Sequence, residues 1–187
     1  MSSAWGDVGE NYVQEALAKI AALASLRPQL QWHLVGPLQS NKTRVVAEAF
    51  DWVHTVDRLK TAQRLAEQRP AGLPPLMLCL QVNVSGEASK SGVLPAEALA
   101  LAQAVAALPP ARVQLRGLMS IPEAATDLEA QRRPHRVLRD LFDSLRGAGL
   151  ALDTLSMGMS ADLEAAVAEG STLVRVGSAI FGSRTGA

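Results

Sequence analysis

Between Leu155 and Arg184 the chain spaces polar and small residues in a way that suits a phosphate-bearing ligand. An apolar run ends in Ser156-Met157-Gly158-Met159-Ser160, a helical pattern runs to Ala168, and Gly170 stops it. Leu173-Val174-Arg175-Val176-Gly177-Ser178 then reads as a second strand and its exit loop. Ser160 is expected to cap the helix, because its hydroxyl can accept from first-turn amides, and Asp162 and Glu164 suit the positive end of the helix dipole. Gly177 and Ser178 would add a second set of closely approaching amides. Paired loops of this kind on the last strands of a parallel barrel cradle phosphate. Ordinary strand-to-helix turns are the alternative reading of the same residue types.

Other chemistries leave no trace. No Gly-x-Ser-x-Gly elbow, Walker loop or metal-ligand spacing occurs. Cys79 sits inside the apolar run Leu76–Leu80 and reads as a small buried hydrophobe, not a nucleophile. His33 alternates with Trp32 and Leu34 on a strand, and it and His54 read as structural groups before they read as bases.

The elements that must position these residues alternate along the whole length. Residues 1 to 8 lack periodicity and are expected to be irregular, and a helix from Tyr12 ends at Pro28. Six strands are predicted near Trp32, Val53, Leu80, Leu115, Leu155 and Val174, separated by helical patterns from Gln39, from an Asp57 cap, from Ala96 and from Leu128. Pro134 is expected to break the last of these. Such alternation gives parallel strands with covering helices, as an open doubly wound sheet or a barrel, in a single domain over residues 1–187.

The chain has 187 residues, 48% of them hydrophobic, enough for a substantial core. Its 18 basic and 18 acidic residues balance, and only 4% are aromatic, so no nucleic-acid surface is expected. The longest apolar run is too short to span a bilayer. With no signal-peptide pattern at the start and a single cysteine, a cytoplasmic setting is the expectation.

Six ordered blocks make the sequence specific. They are Gly9-Glu10-Asn11-Tyr12, Trp32 through Lys42, His54-Thr55-Val56-Asp57, Gln81 through Glu87 with Ser89-Lys90, Gly117 through Pro122, and the stretch from Leu155 to Arg184. Together they resemble the pyridoxal-phosphate homeostasis protein family. The resemblance implies a (β/α)8 barrel of the alanine racemase N-terminal type, holding pyridoxal 5′-phosphate at the C-terminal strand ends, without an established catalytic reaction. It implies a role in vitamin B6 and amino-acid homeostasis, with pyridoxal-phosphate-dependent enzymes as further partners.

It also implies cofactor contacts at Asn11, Ser156, Met157, Ser160, Arg175, Gly177 and Ser178, with Arg175 against the ring nitrogen. Asn11 would touch the ring edge or else cap a helix. In the family a first strand carries the covalent lysine ahead of the Gly-Glu-Asn-Tyr block. Here eight residues precede Gly9, and the lysines are Lys19, Lys42, Lys60 and Lys90. The expectation is an N-terminally truncated member, a barrel lacking its first strand, that binds the cofactor non-covalently at best. The alternatives are a racemase-like enzyme, which would need that lysine, and a barrel for another phosphorylated metabolite, which would not.

Overall fold

The computed structural model describes residues 6–87 and 90–182, together with the backbone but not the side chains of Ser178 and Phe181. Its frame is one sheet of seven strands in the sequential order β1 to β7, each pair parallel. The strands are β1 (Asp7–Glu10), β2 (Gln31–Leu34), β3 (Trp52–Val56), β4 (Leu76–Gln81), β5 (Val113–Met119), β6 (Thr154–Met159) and β7 (Leu173–Arg175). Helices α1 (Val13–Ala22), α2 (Thr43–Ala49), α3 (Leu59–Gln68), α4 (Ala98–Ala106), α5 (Leu128–Gly147) and α6 (Leu163–Ala168) follow the first six strands in turn, and α7 (Ser178–Phe181) follows β7.

The sheet is rolled. Neighbouring strands lie roughly 4.8 Å apart, so β3 and β6, three places apart, would be about 14 Å apart in a flat sheet with parallel side chains. Yet His54 on β3 and Ser156 on β6 are in hydrogen-bond contact at 2.8 Å. Strand alternation then sorts the side chains into two layers. Trp32, Leu34, Val53, Leu78, Leu80, Leu118, Leu155 and Met157 point outward into the main core under the helices. Trp52, Cys79 and Met119, with Met77 against them, form a separate cluster inside the roll.

Several expectations need correction. Asp7–Glu10 is a strand, not an irregular start: its polar Asp-Val-Gly-Glu sequence has poor strand propensity, and pairing with β2 from Asp7↔Gln31 to Glu10↔Leu34 overrides it. The first edge of the sheet is therefore β1, and β7 is the other. Helix α1 stops at Ala22, and Pro28 lies in a 3-10 turn, Ala24–Gln29. Arg58, not Asp57, stands at the N-cap of α3, with no side-chain cap bond.

Pro134 does not break α5. The helix starts six residues earlier because Asp127 accepts from the Ala130 amide at 2.8 Å. Gln131 Nε2 then ties the first turn to the Ala125 carbonyl, and the Arg136–Glu129 ion pair at 3.2 Å spans the proline. Buried His135, Leu138, Phe142 and Leu145 hold the following turns against the sheet. Among the described residues no helix is long and apolar enough to cross a membrane.

Candidate functional site

Arg175 is the last residue of β7, and its guanidinium reaches across two strands. Nη1 donates to the Ser156 carbonyl at 2.7 Å and to Ser156 Oγ at 2.9 Å, while Nη2 donates to the Ser120 carbonyl at 2.8 Å. No carboxylate lies within ion-pairing distance of it among the described residues. Burial pushes the guanidinium down to about 10. A cation held by neutral oxygens in a low-dielectric site is a receptor for electron-rich ligand atoms, and three of its five N–H donors are already engaged.

Ser156 is fully buried and continues this contact inward. Its hydroxyl lies 2.8 Å from His54 Nδ1, and His54 Nε2 lies 2.9 Å from His33 Nδ1. His33 stacks on Trp52 with ring centroids 5.3 Å apart, and its Nε2 faces Asp7 Oδ1 at 3.6 Å. Burial lowers the pKa of both histidines; for His54 the neighbouring His33 and Arg175 add to the depression, whereas Asp7 and Asp51 partly offset it for His33. Both rings are thus held neutral near pH 7. Cys79 beside them is fully buried, and burial pushes its thiol up to about 12.

The loops after β6 and β7 meet, as the sequence suggests, but through different atoms. Asp162 is at the N-cap of α6 and makes no cap bond. Its Oδ1 accepts from the Met159 amide at 2.7 Å and its Oδ2 meets His135 Nε2 at 2.9 Å, so it fastens the loop to α5. Ser160 is not the helix cap: its hydroxyl accepts from the Ala179 amide in α7 at 3.4 Å. Gly158 has φ +94°, and a Cβ there would lie 2.5 Å from the Ala166 methyl, so the turn needs glycine for conformation and for close packing. Gly177 has neither reason among the described residues, none of which a Cβ on it would meet within 4 Å. The described residues leave space for a ligand beside Gly177.

The remaining expected residues are placed less favourably. Met157 is buried in the outer core, pointing away from Arg175, so its side chain has no access to a ligand in the roll. Alternation places Ser156 inside and Met157 outside, and the register shift between Ser156 and Met159 with the left-handed Gly158 then ends the regular strand. The side chain of Ser178 lies outside the described residues, as do Ser89, Ser183 and Arg184. Asn11 is exposed and is not the cap of α1, which is Tyr12; its carbonyl would be 2.0 Å from a Cβ on Gly36. It borders a cleft of about 360 Å³ at the C-terminal ends of β1 to β5, with Gly36, Thr55, Asp57, Gln81 and Ile121.

No lysine lies on a strand: Lys19 on α1 pairs with Glu10 at 2.7 Å, Lys60 is on α3, Lys42 ends a 3-10 turn, and Lys90 faces Glu123 at 3.6 Å. His33, His54 and Asp7 are the residues that sequence reasoning undervalued. Their inward positions follow from alternation, but a spacing of 21 residues between the histidines does not announce that they touch.

Comparison with known proteins agrees with this architecture. Residues 3–185 match the family model of the alanine racemase N-terminal domain. A pyridoxal phosphate homeostasis protein of Pseudomonas aeruginosa is 63% identical over 178 residues, covering 95% of this chain and 74% of that protein. The one of Escherichia coli K12 is 54% identical over 177 residues, covering 94% and 75%. PipY of Synechococcus elongatus, solved with pyridoxal phosphate bound, is 41% identical with a TM-score of 0.81, covering 93% of this chain and 80% of its own. An alanine racemase of Clostridium difficile shares the fold at 16% identity, with a TM-score of 0.73 over 97% of this chain and 48% of its own. The chain belongs to the alanine racemase N-terminal domain family, among the pyridoxal phosphate homeostasis proteins.

Proposed function

We propose that this chain binds pyridoxal 5′-phosphate non-covalently at the C-terminal ends of β6 and β7 and serves vitamin B6 and amino-acid homeostasis as a carrier, not as an enzyme. The observation that carries the reading is Arg175, a guanidinium without a carboxylate partner among the described residues, fixed on Ser156 and Ser120. The group fits what is present: Arg175 would face the ring nitrogen, and the open space beside Gly177, with Ser160 and the first turn of α7, would receive the phosphate. Pyridoxal phosphate supplies an aldehyde and an electron-accepting ring when bound. An arginine donating to the ring nitrogen keeps it unprotonated and weakens that acceptor, which suits carriage better than carbanion chemistry.

The homeostasis names of the relatives and the pyridoxal phosphate in PipY support the ligand, and the non-covalent mode is proposed for the seven strands described, with Lys19, Lys42, Lys60 and Lys90 all lying off them. Asn11 would approach the ring from the cleft on the other side of the mouth. Pyridoxal-phosphate-dependent enzymes are the natural recipients of a carried cofactor, and the cytoplasm is the natural setting.

Titration of the purified chain with pyridoxal phosphate, followed by borohydride treatment and intact mass, tests this. Saturable binding without added mass is expected. No saturable binding overturns the reading, and mass added to one lysine overturns its non-covalent half.

A further inference from the structure

We infer that Asp7, His33 and His54 are positioning residues for Arg175, acting through Ser156 as a hydrogen-bonded chain with one fixed direction. The inference rests on the pyridoxal phosphate reading for its ligand, while the direction of the chain follows from the protein's own geometry.

The direction comes from counting donors. Arg175 Nη1 can only donate, so Ser156 Oγ accepts from it at 2.9 Å. The hydroxyl can accept twice but has one proton to place, and among the described residues His54 Nδ1, 2.8 Å away, is the group that can take it; with Nδ1 as donor instead, the buried hydroxyl proton would be left without an acceptor. His54 then carries its proton on Nε2 and donates it to His33 Nδ1 at 2.9 Å. His33 in turn carries its proton on Nε2, whose nearest polar partner among the described residues is the Asp7 carboxylate at 3.6 Å.

The reverse orientation would turn an unprotonated His33 Nε2 lone pair toward that carboxylate, a repulsive contact with no compensating donor. Asp7 therefore selects the tautomer of both rings, four links away from the arginine. Both histidine rings are almost fully buried, so water cannot substitute for either bond.

The consequence is geometric. With the Ser156 hydroxyl hydrogen directed to His54 Nδ1, an Oγ lone pair is turned to Nη1, whose two hydrogens go to the Ser156 hydroxyl and carbonyl, and the plane of the guanidinium is set. The fork then presents its remaining N–H groups in one orientation. Loss of the chain would let the guanidinium turn and would weaken a ligand that depends on direction, a heterocyclic nitrogen, more than one that depends on charge alone, inorganic phosphate.

The experiment has two arms. In the first, the histidine ring nitrogens of the unliganded, 15N-labelled chain are assigned by NMR near neutral pH. Protonated Nε2 and bare Nδ1 are expected for both His33 and His54, with a shift toward mixed tautomers in Asp7→Leu. A protonated Nδ1 on His54 in the unsubstituted chain would overturn the inference.

In the second arm, His54→Leu and His54→Asn are titrated with pyridoxal phosphate and with inorganic phosphate. The leucine is expected to weaken pyridoxal phosphate by about tenfold, the scale of one hydrogen bond, and inorganic phosphate by less than about twofold. The asparagine, which keeps an acceptor near the position of Nδ1, is expected to recover most of the loss. An unchanged ratio of the two affinities in a folded His54→Leu overturns the inference. Should that variant not fold, the tautomers decide, and should the unsubstituted chain bind no pyridoxal phosphate, the functional reading fails while the tautomers still decide the chain.

Discussion

His54 Nδ1 lies 2.8 Å from Ser156 Oγ, although 102 residues and two intervening strands separate them. That contact closes the interior of the rolled sheet and joins the buried histidines to the arginine at its mouth. It also makes the neutral state of both rings part of the folded structure, and the first prediction follows from it.

Stability should fall as the pH drops below the ordinary histidine value of 6.5, because both histidines have depressed values in the folded chain. Between the folded and unfolded values the unfolded chain binds more protons, so stability is complete above about pH 6.5 and is lost progressively below it. Asp153 and Glu169 are also depressed, but from 3.8 and 4.5, so their loss comes at lower pH. Urea midpoints measured near pH 7.5 and near pH 5 should differ, and the difference should shrink in His33→Gln/His54→Gln. Equal midpoints would contradict the burial of neutral imidazoles.

The loop after β6 should be more sensitive at Asp162 than at Ser160. Asp162→Ala strips a partner from the Met159 amide and from buried His135 Nε2, at a cost of about 1–3 kcal/mol. Ser160→Ala loses one long contact to Ala179 and should cost less than about 0.5 kcal/mol. Denaturation of the two variants side by side gives the order; the reverse order would restore Ser160 as a helix cap.

Gly158 and Gly177 should separate stability from binding. Gly158→Ala meets both a left-handed backbone and the Ala166 methyl, and should destabilise by about 1–3 kcal/mol. Gly177→Ala meets no atom of the described residues and should leave the urea midpoint unchanged, while its methyl enters the ligand space and lowers pyridoxal phosphate affinity by about tenfold, roughly one lost hydrogen bond. Unchanged affinity in Gly177→Ala would remove that loop from the site.

The sequence made the parallel barrel legible because outward Trp32, Leu34, Val53 and Leu80 recur in short runs between helical patterns. It hid β1, since Asp-Val-Gly-Glu becomes a strand only by pairing with β2. Arg175 and Ser156 are expected through the family resemblance and Gly177 through its residue type, but the contact between Arg175 and Ser156 comes only from the fold. Met157, expected at the cofactor, follows Ser156 on the same strand, and alternation turns its side chain to the outer core as soon as Ser156 faces inward. The Asp162 anchor and the Asp7–His33–His54 series depend on contacts across 20 to 100 residues, which periodicity does not encode.

The most direct test of the account is the binding of two ligands to Arg175→Ala. Pyridoxal phosphate and inorganic phosphate are titrated by calorimetry into the unsubstituted chain and the variant under identical salt. Loss of charge-assisted hydrogen bonding to the ring should weaken pyridoxal phosphate roughly ten- to hundredfold, with inorganic phosphate nearly unchanged. Equal weakening of both ligands would make Arg175 a phosphate clamp and contradict its place against the ring nitrogen; no weakening of either would remove it from the site.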